Sequence, residues 1–378
     1  MDVLSEEQVM LQEAAKNWTR DVAPVTAFRA LRDSTSREGF DRALWRQMCE
    51  MGWAGILIPE SYGGSGLDFL SLGLVLEETG RTLTASPLLS TALVATAALL
   101  LAGNDQQKTE WLPKFAAGEA LGALAVDEGA HHAPQRVGLA ARRKGAAFVL
   151  SGSKSFVVDG VTADLLIVAA RTSGAPGDEN GITLFLVPGT HPGLRRTPLH
   201  MADSRAAARL QFGDVEVTPD AVLGAVDKGF GVLDAVLDRA RAGLAAEMLG
   251  HAAQSFDVTL DYLKTRTQFG QLIGSFQALQ HRAARMYTEL ELTRSCIEAA
   301  LSACDRGSAE VPALCSLAKA RAGDLVHLVS NEMVQMHGGI GMTDAHDAGL
   351  YLKRARVSEA TYGSPAFHRD RYARLMGY

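Results

Sequence analysis

The spacing of the apolar residues changes twice along this chain, and that change restricts its fold more than any other feature of the sequence. Over residues 4–118 apolar residues recur three or four positions apart, which is the period of an amphipathic helix. Between residues 121 and 212 the pattern becomes short runs separated by Gly, Asp and charged turns, which is typical of strands. After Pro219 the helical period returns in long segments. We therefore predict an α+β protein with an amino-terminal helical domain, a central antiparallel β domain and a carboxyl-terminal four-helix bundle. The expected boundaries are residues 1–119, 120–225 and 226–378.

The composition narrows the classes of function. A length of 378 residues suggests two or three domains. The net charge of -6 argues against a nucleic acid or an anionic membrane as a partner. The most apolar stretch, residues 85–102, is interrupted by Ser, Thr and Pro, so we predict a buried helix and no membrane span. The chain starts with an acidic, helical segment, so we expect no targeting signal.

The cysteines and histidines do not indicate a metal site or a disulfide framework. Cys49, Cys296, Cys304 and Cys315 have no paired spacing, so we expect reduced thiols in a cytoplasmic protein. His131 and His132 are adjacent, but no third ligand lies at a useful spacing. We therefore predict that this histidine pair lies in an ordinary loop and that the protein has no metal.

Two motifs carry chemistry that can hold a dinucleotide. The first runs Arg266-Thr-Gln-Phe-Gly-Gln-Leu-Ile-Gly-Ser-Phe-Gln-Ala-Leu-Gln280, where one long helical segment ends and another begins. Its guanidinium can clamp a diphosphate, and its first phenylalanine offers a ring face to an adenine. The second runs Gln335-Met-His-Gly-Gly-Ile-Gly-Met-Thr343, and its adjacent glycines let backbone amides approach phosphate oxygens. No Gly-x-Gly-x-x-Gly follows a strand, so the sequence does not indicate a nicotinamide cofactor.

In order and spacing these motifs resemble the two flavin-binding signatures of the acyl-CoA dehydrogenase family. The helix–strand–helix order resembles that family over nearly the whole chain, and residues 51–66 and 152–159 match further family segments. The resemblance implies FAD as the cofactor, α,β-dehydrogenation of an acyl-CoA thioester, an electron-transfer flavoprotein as the electron acceptor, and at least a dimer. The cofactor-binding residues that it implies are Arg266, Gln268, Phe269, Gln277, Gln335, Gly338, Gly339, Phe156, Val158 and Ser364.

The chain departs from the family pattern where the catalytic base is expected. Typical members carry the base in Tyr-Glu-Gly-Thr, whereas the matching run here is Thr361-Tyr-Gly-Ser364, so Tyr362 replaces the glutamate. An ordinary tyrosine titrates near ~10, which is too high for an efficient base at neutral pH. A minority of the family carries the base on a helix of the third domain, and that position here is Ala240. Arg241 matches an arginine that commonly lies beside the family's active site.

Glu247 is the remaining candidate for a catalytic carboxylate. It follows Ala240 by seven residues, so it lies on nearly the same helical face, roughly 10 Å further along the axis. Its neighbours are apolar, so its charge needs a partner or a function. One interpretation is a relocated base; the other is a buried glutamate paired with an arginine or a helix end.

The β segment also departs from the family pattern. Family members usually have Thr-Glu-Pro-x-Ala-Gly-Ser-Asp, and this chain has Val126-Asp-Glu-Gly-Ala-His-His-Ala-Pro-Gln135. Hydroxyls that normally contact the flavin and the thioester are therefore missing, and Asp127 and Glu128 are candidates to replace some of those contacts. Val158 likewise replaces a threonine, whereas Phe156 can still shield a flavin ring.

These departures resemble a subset of bacterial family members known as small subunits, such as that of pimeloyl-CoA dehydrogenase, and the α2β2 steroid side-chain dehydrogenases of actinobacteria. Three functions stay open. The chain is an active acyl-CoA dehydrogenase, a non-catalytic or FAD-completing subunit of a heteromer, or an enzyme for another flavin-linked elimination on a CoA thioester. A fourth interpretation, a helical binding protein without flavin, would require a colourless protein that refuses FAD.

Overall fold

The computed structural model describes residues 4–34 and 36–378. Its helices are α1 Glu6–Asp21, α2 Val25–Asp33, α3 Arg42–Glu50, α4 Phe69–Arg81, α5 Thr96–Ala102, α6 Asp105–Ala116, α7 Gly229–Thr265, α8 Gln277–Arg306, α9 Val311–His337, α10 Ala348–Ala360 and α11 Pro365–Leu375, with a π-helix at Leu88–Ala95. Local sequence explains several helix ends. Ser5 and Gln8 form a reciprocal capping box on α1, and Asn104 and Gln107 form another on α6. Gly307, in a left-handed conformation, ends α8.

The middle of the chain forms one large sheet. Its strands are β1 Gly122–Ala125, β2 Ala140–Lys144, β3 Ala147–Val158, β4 Leu165–Arg171, β5 Ile182–Pro188, β6 Leu194–His200, β7 Ala206–Val217 and β8 Val222–Leu223. The strand order is β6-β7-β3-β2-β4-β5-β8, with β1 pairing to β4. Most pairs are antiparallel, but β1 runs parallel to β4, with Gly122 opposite Leu165. The sheet is therefore mixed, and the expectation of a purely antiparallel sheet is corrected on this point.

Apolar residues from these strands form the core of the sheet. The rings of Phe148 and Phe185 meet edge to face, with 5.2 Å between their centroids. Every residue of β4 is buried, and so are all but the last of β5, as expected for central strands covered on both faces. In contrast, β6 lies at the edge of the sheet, mostly exposed, and it tolerates Pro198 there.

The chain divides into two compact units. One contains the described residues up to Ala30 together with residues 69–84 and 241–378, and the other contains the described residues of 31–68 and 85–240. The large sheet belongs to the second unit. In the first unit, α8 packs on α9, and α10 and α11 also pack on α9.

The helix–strand–helix order and the three-part fold class predicted from the sequence are confirmed. The residue boundaries of the three domains stay a prediction. The apolar stretch after residue 85 contains the π-helix, all of whose residues are buried, and α5. Within the part of the chain that the structure describes, no helix is long and apolar enough to cross a membrane.

Candidate functional site

The first motif forms an exposed hairpin. Its strands, β9 Thr267–Gln268 and β10 Gln271–Leu272, pair antiparallel, and Phe269 and Gly270 make the turn with φ of 56° and 78°. Arg266 and Gln268 are exposed, and Phe269 is 92% exposed. Gln277 begins α8 just after the hairpin and is also exposed. The hairpin therefore offers a guanidinium, amides and an aromatic ring to a ligand or to another chain.

The second motif forms an open cradle at the end of α9. Gly338 has φ 62° and ψ -136°, a conformation that strongly favours glycine. A Cβ atom added at Gly338 or at Gly339 would meet no atom within 4 Å, so packing inside the chain does not demand either glycine. Gln335 is exposed beside them. The Gly338 amide donates to the Gln335 carbonyl, and the open space beside the two glycines lets a ligand approach the backbone closely. With the hairpin, this cradle offers groups that suit a flavin dinucleotide.

In the β unit, Phe156 is a partly exposed aromatic residue at an irregular point of the sheet. Its φ is 55°, it is 48% exposed, and it lies at a register shift between β3 and β7. The irregularity takes the ring out of the ladder and turns it outward. Val158, two residues on, is half-buried and carries no hydrogen-bonding group. This agrees with a role of Phe156 as a shield for a flavin ring, a role that stays a prediction.

Asp127 and Glu128, the candidates to replace some contacts of the family's hydroxyls, form hydrogen bonds inside the β unit. Glu128 accepts hydrogen bonds from the backbone amides of Gly138 and Leu139 and from Lys154 Nζ at 2.7 Å. Asp127 accepts from His132 Nδ1 at 2.9 Å. Burial lowers the pKa of Lys154, which is fully enclosed. These carboxylates therefore fix the loop that contains them, and Glu128 links that loop to β3 through Lys154.

Three buried basic side chains hold the turn that carries Tyr362. Tyr362 is buried, with φ 56°, and its carbonyl accepts from Arg241 Nε at 3.3 Å and from His368 Nε2 at 3.1 Å. Lys319 Nζ donates to the carbonyls of Ser358, Glu359 and Gly363 at 3.0–3.1 Å.

Arg241 and Ser364 also contribute to the neighbourhood of this turn. Arg241 is fully buried, with its guanidinium carbon 5.7 Å from the Phe367 ring centroid. The hydroxyl of Ser364 accepts from the Phe367 amide and caps α11. The structure thus gives Ser364 a capping function, and its predicted contact with the cofactor stays a prediction.

Glu247 has an internal partner. It is 5% exposed, and its Oε1 accepts from Arg354 Nε at 3.0 Å and Nη2 at 2.8 Å. Its backbone packs closely on α4, since a Cβ at Gly80 would lie 2.1 Å from its carbonyl oxygen. These contacts are those expected for a structural glutamate, the second of the two interpretations from the sequence. Ala240 is fully buried and offers no ionisable group.

The sequence did not reveal the carbonyl clamp made by Lys319 and His368. Both side chains are fully buried, although both lie in helices that also carry charged surface residues. The available signal was the apolar surroundings of Lys319, whose helix neighbours Cys315, Ala318 and Ala322 are all buried. A lysine among such neighbours needs several acceptors, but the sequence does not show that these are backbone carbonyls of a distant turn.

Comparison with known proteins gives matches over the whole chain. The family models described as acyl-CoA dehydrogenase N-terminal, middle and C-terminal domains match residues 5–119, 127–215 and 227–377. Acyl-CoA dehydrogenase IpdE2 of Mycobacterium tuberculosis is 33% identical over 95% of this chain and 94% of its own length. Mitochondrial isovaleryl-CoA dehydrogenase of Pongo abelii is 35% identical over 97% of this chain and 88% of its own. A chain in the crystal structure of the ChsE4-ChsE5 complex from Mycobacterium tuberculosis superimposes with a TM-score of 0.89 at 26% identity, covering 100% of both chains.

Proposed function

The chain belongs to the acyl-CoA dehydrogenase family, whose members are FAD-dependent flavoproteins, and we propose that it acts in the α,β-dehydrogenation of an acyl-CoA whose electrons pass to an electron-transfer flavoprotein. The observation that carries the proposal is the pair of exposed motifs. One offers Arg266 and Phe269, and the other an open cradle at Gly338 and Gly339.

The chain's own groups are suited to particular parts of FAD. The Arg266 guanidinium can pair with the diphosphate, the Phe269 ring can stack on the adenine, and the amides after α9 can donate to phosphate oxygens. When bound, FAD supplies a hydride acceptor for the β-carbon of the substrate. Since the Phe269 ring is 92% exposed on its own chain, we propose that a second chain covers it and shares the cofactor site.

A second candidate function is that of an FAD-completing subunit in a heteromer. Removal of the weakly acidic α-proton needs a base within hydrogen-bonding reach. The family resemblance implies that Tyr362 and Ala240 occupy the two positions where members carry their base, and Glu247 is bound by Arg354. This set of residues favours a partner chain as the source of the base, and a solved relative of this chain is itself a complex of two chain types.

Anaerobic visible spectroscopy separates these functions. The chain is purified alone and together with a co-expressed dehydrogenase chain encoded beside it, and each sample is titrated with a panel of acyl-CoAs. Bleaching of the oxidised flavin band by the chain alone establishes a self-sufficient dehydrogenase. Bleaching only in the mixed sample establishes a subunit of a composite enzyme. Flavin that stays oxidised in both samples while the acyl-CoA is converted indicates an elimination instead. A colourless protein that takes up no FAD would contradict the whole proposal.

A further inference from the structure

Three basic side chains from three helices converge on the backbone of one short turn, residues 358–364. Lys319 from α9 donates to three carbonyls, those of Ser358, Glu359 and Gly363, at 3.0–3.1 Å. Arg241 from α7 and His368 from α11 both reach the carbonyl of Tyr362. All three donor residues are 0% exposed, so these hydrogen bonds form away from solvent. Four carbonyls of one turn are thus fixed by buried donors.

The conformation that these donors hold is unfavourable for its sequence. Tyr362 has φ 56°, a left-handed conformation that costs a residue with a Cβ atom free energy. Gly363 has φ 113°, and a Cβ there would lie 2.6 Å from Phe367 Cδ1 and 2.7 Å from His368 Nε2. The turn therefore needs outside contacts to keep this shape, and the buried side chains of Lys319, Arg241 and His368 provide them.

We propose that Lys319 is a positioning residue for the reaction, since its bonds to the turn hold Tyr362 in the place where the family carries its base. This inference rests on the proposed dehydrogenase function. Lys319 acts through the backbone of the turn and needs no contact with substrate. Lys319 makes more hydrogen bonds to the turn than Arg241 or His368 does, and the carbonyls that it binds lie on both sides of Tyr362.

The charged residues around Lys319 are compatible with its binding to backbone carbonyls. Glu359 from α10 attracts its ammonium group, whereas Arg241 from α7 and Arg354 from α10 repel it. The Glu359 carboxylate contacts His327 and Arg356, and the contacts of Lys319 are with backbone oxygens. The Lys319 side chain therefore binds backbone carbonyls of the turn rather than a carboxylate.

The test compares Lys319→Met with Arg371→Met. Arg371 of α11 is the control because it is also a buried basic side chain, 8% exposed, and donates to Pro312 O and Ser316 Oγ of α9, away from the turn. Both variants are made in whichever assembly bleaches with acyl-CoA. We expect Lys319→Met to slow flavin reduction in a single turnover by about a hundredfold, the scale of a small misplacement at an active site. FAD content and acyl-CoA affinity should stay within about twofold. Arg371→Met should reduce flavin at the wild-type rate.

Two further measurements, a double-mutant cycle and hydrogen exchange, test whether Lys319 acts through the turn. If Lys319 acts through Tyr362, its substitution adds little to the rate loss of Tyr362→Ala in a double-mutant cycle. Independent additive losses would overturn the proposal, as would equal rate losses in Lys319→Met and Arg371→Met.

Hydrogen exchange tests the clamp without any turnover. The amides of Thr361 and Gly363 donate to Val357 and Ala360, and they should exchange at least about tenfold faster in Lys319→Met than in Arg371→Met. Equal exchange in the two variants would refute the clamp even in an active enzyme. Faster exchange in an assembly that never bleaches would retain the clamp and reject the dehydrogenase function, so the two failures are distinguishable.

Discussion

At the scale of single residues, Glu247 shows how contacts discriminate between two uses of one carboxylate. Replacing it with Gln removes the carboxylate charge that the buried Arg354 guanidinium binds through two hydrogen bonds, so we expect the free energy of unfolding to fall by about 3 kcal/mol. Urea denaturation measures this loss. Glu216→Gln is the control, because its pair with Lys144 is exposed on both sides and should change stability by less than about 1 kcal/mol. A Glu247→Gln protein of unchanged stability that binds FAD and never bleaches would instead identify Glu247 as the base.

Gly339 allows a test of the cofactor cradle that does not disturb the fold. A Cβ there meets no atom of the chain within 4 Å, so Gly339→Ala should leave the stability of the FAD-free protein unchanged within about 0.5 kcal/mol. It should weaken FAD binding at least about tenfold, because the methyl group occupies the open space through which a ligand would approach the backbone. Flavin fluorescence titration measures the affinity. Gly349→Ala is the control, since it also meets no atom and lies within α10. Unchanged FAD affinity in Gly339→Ala would show that the cradle holds something else.

At the scale of elements, the hairpin of β9 and β10 is a binding device rather than a part of the core. Phe269 and Tyr378 are both more than 90% exposed, so truncating either to Ala should cost the isolated chain less than about 0.5 kcal/mol. Phe269→Ala should nevertheless weaken FAD binding and lower the assembled mass measured by light scattering. Tyr378→Ala should change neither. Equal behaviour of the two variants would remove the hairpin from the cofactor site.

The elements also show what the sequence could and could not predict. The long helices α7, α8 and α9 were predictable because their apolar period continues for many turns. The edge strand β6 was not predictable from the sequence, because Leu-Arg-Arg-Thr-Pro-Leu-His lacks alternation and is mostly exposed. In the candidate site, the motif before α8 and the motif at the end of α9 were readable from residue type alone. The clamp on the Tyr362 turn was not, because backbone carbonyls carry no sequence signal.

At the scale of the whole molecule, stability should depend on pH through Lys319. Burial lowers the pKa of this lysine from 10.5 to about 7. Between those values the unfolded chain holds a proton that the folded chain has released, so the free energy of unfolding from this group rises as pH increases from 7 towards 10.5. Chemical denaturation at several pH values, compared between wild type and Lys319→Met, isolates the contribution. An identical pH dependence in both proteins would contradict the lowered pKa.

The clamp on the turn affects which residues can stand at position 362 of this chain. Lys319, Arg241 and His368 grip main-chain oxygens, and every amino acid supplies one. The residue at position 362 can therefore be exchanged without rebuilding the frame that presents it, so long as it tolerates a left-handed backbone. The backbone frame of the turn and the side chain at position 362 can therefore change independently of each other. A duplicated gene can lose or regain its proton acceptor by a change at one codon while the scaffold around it stays intact.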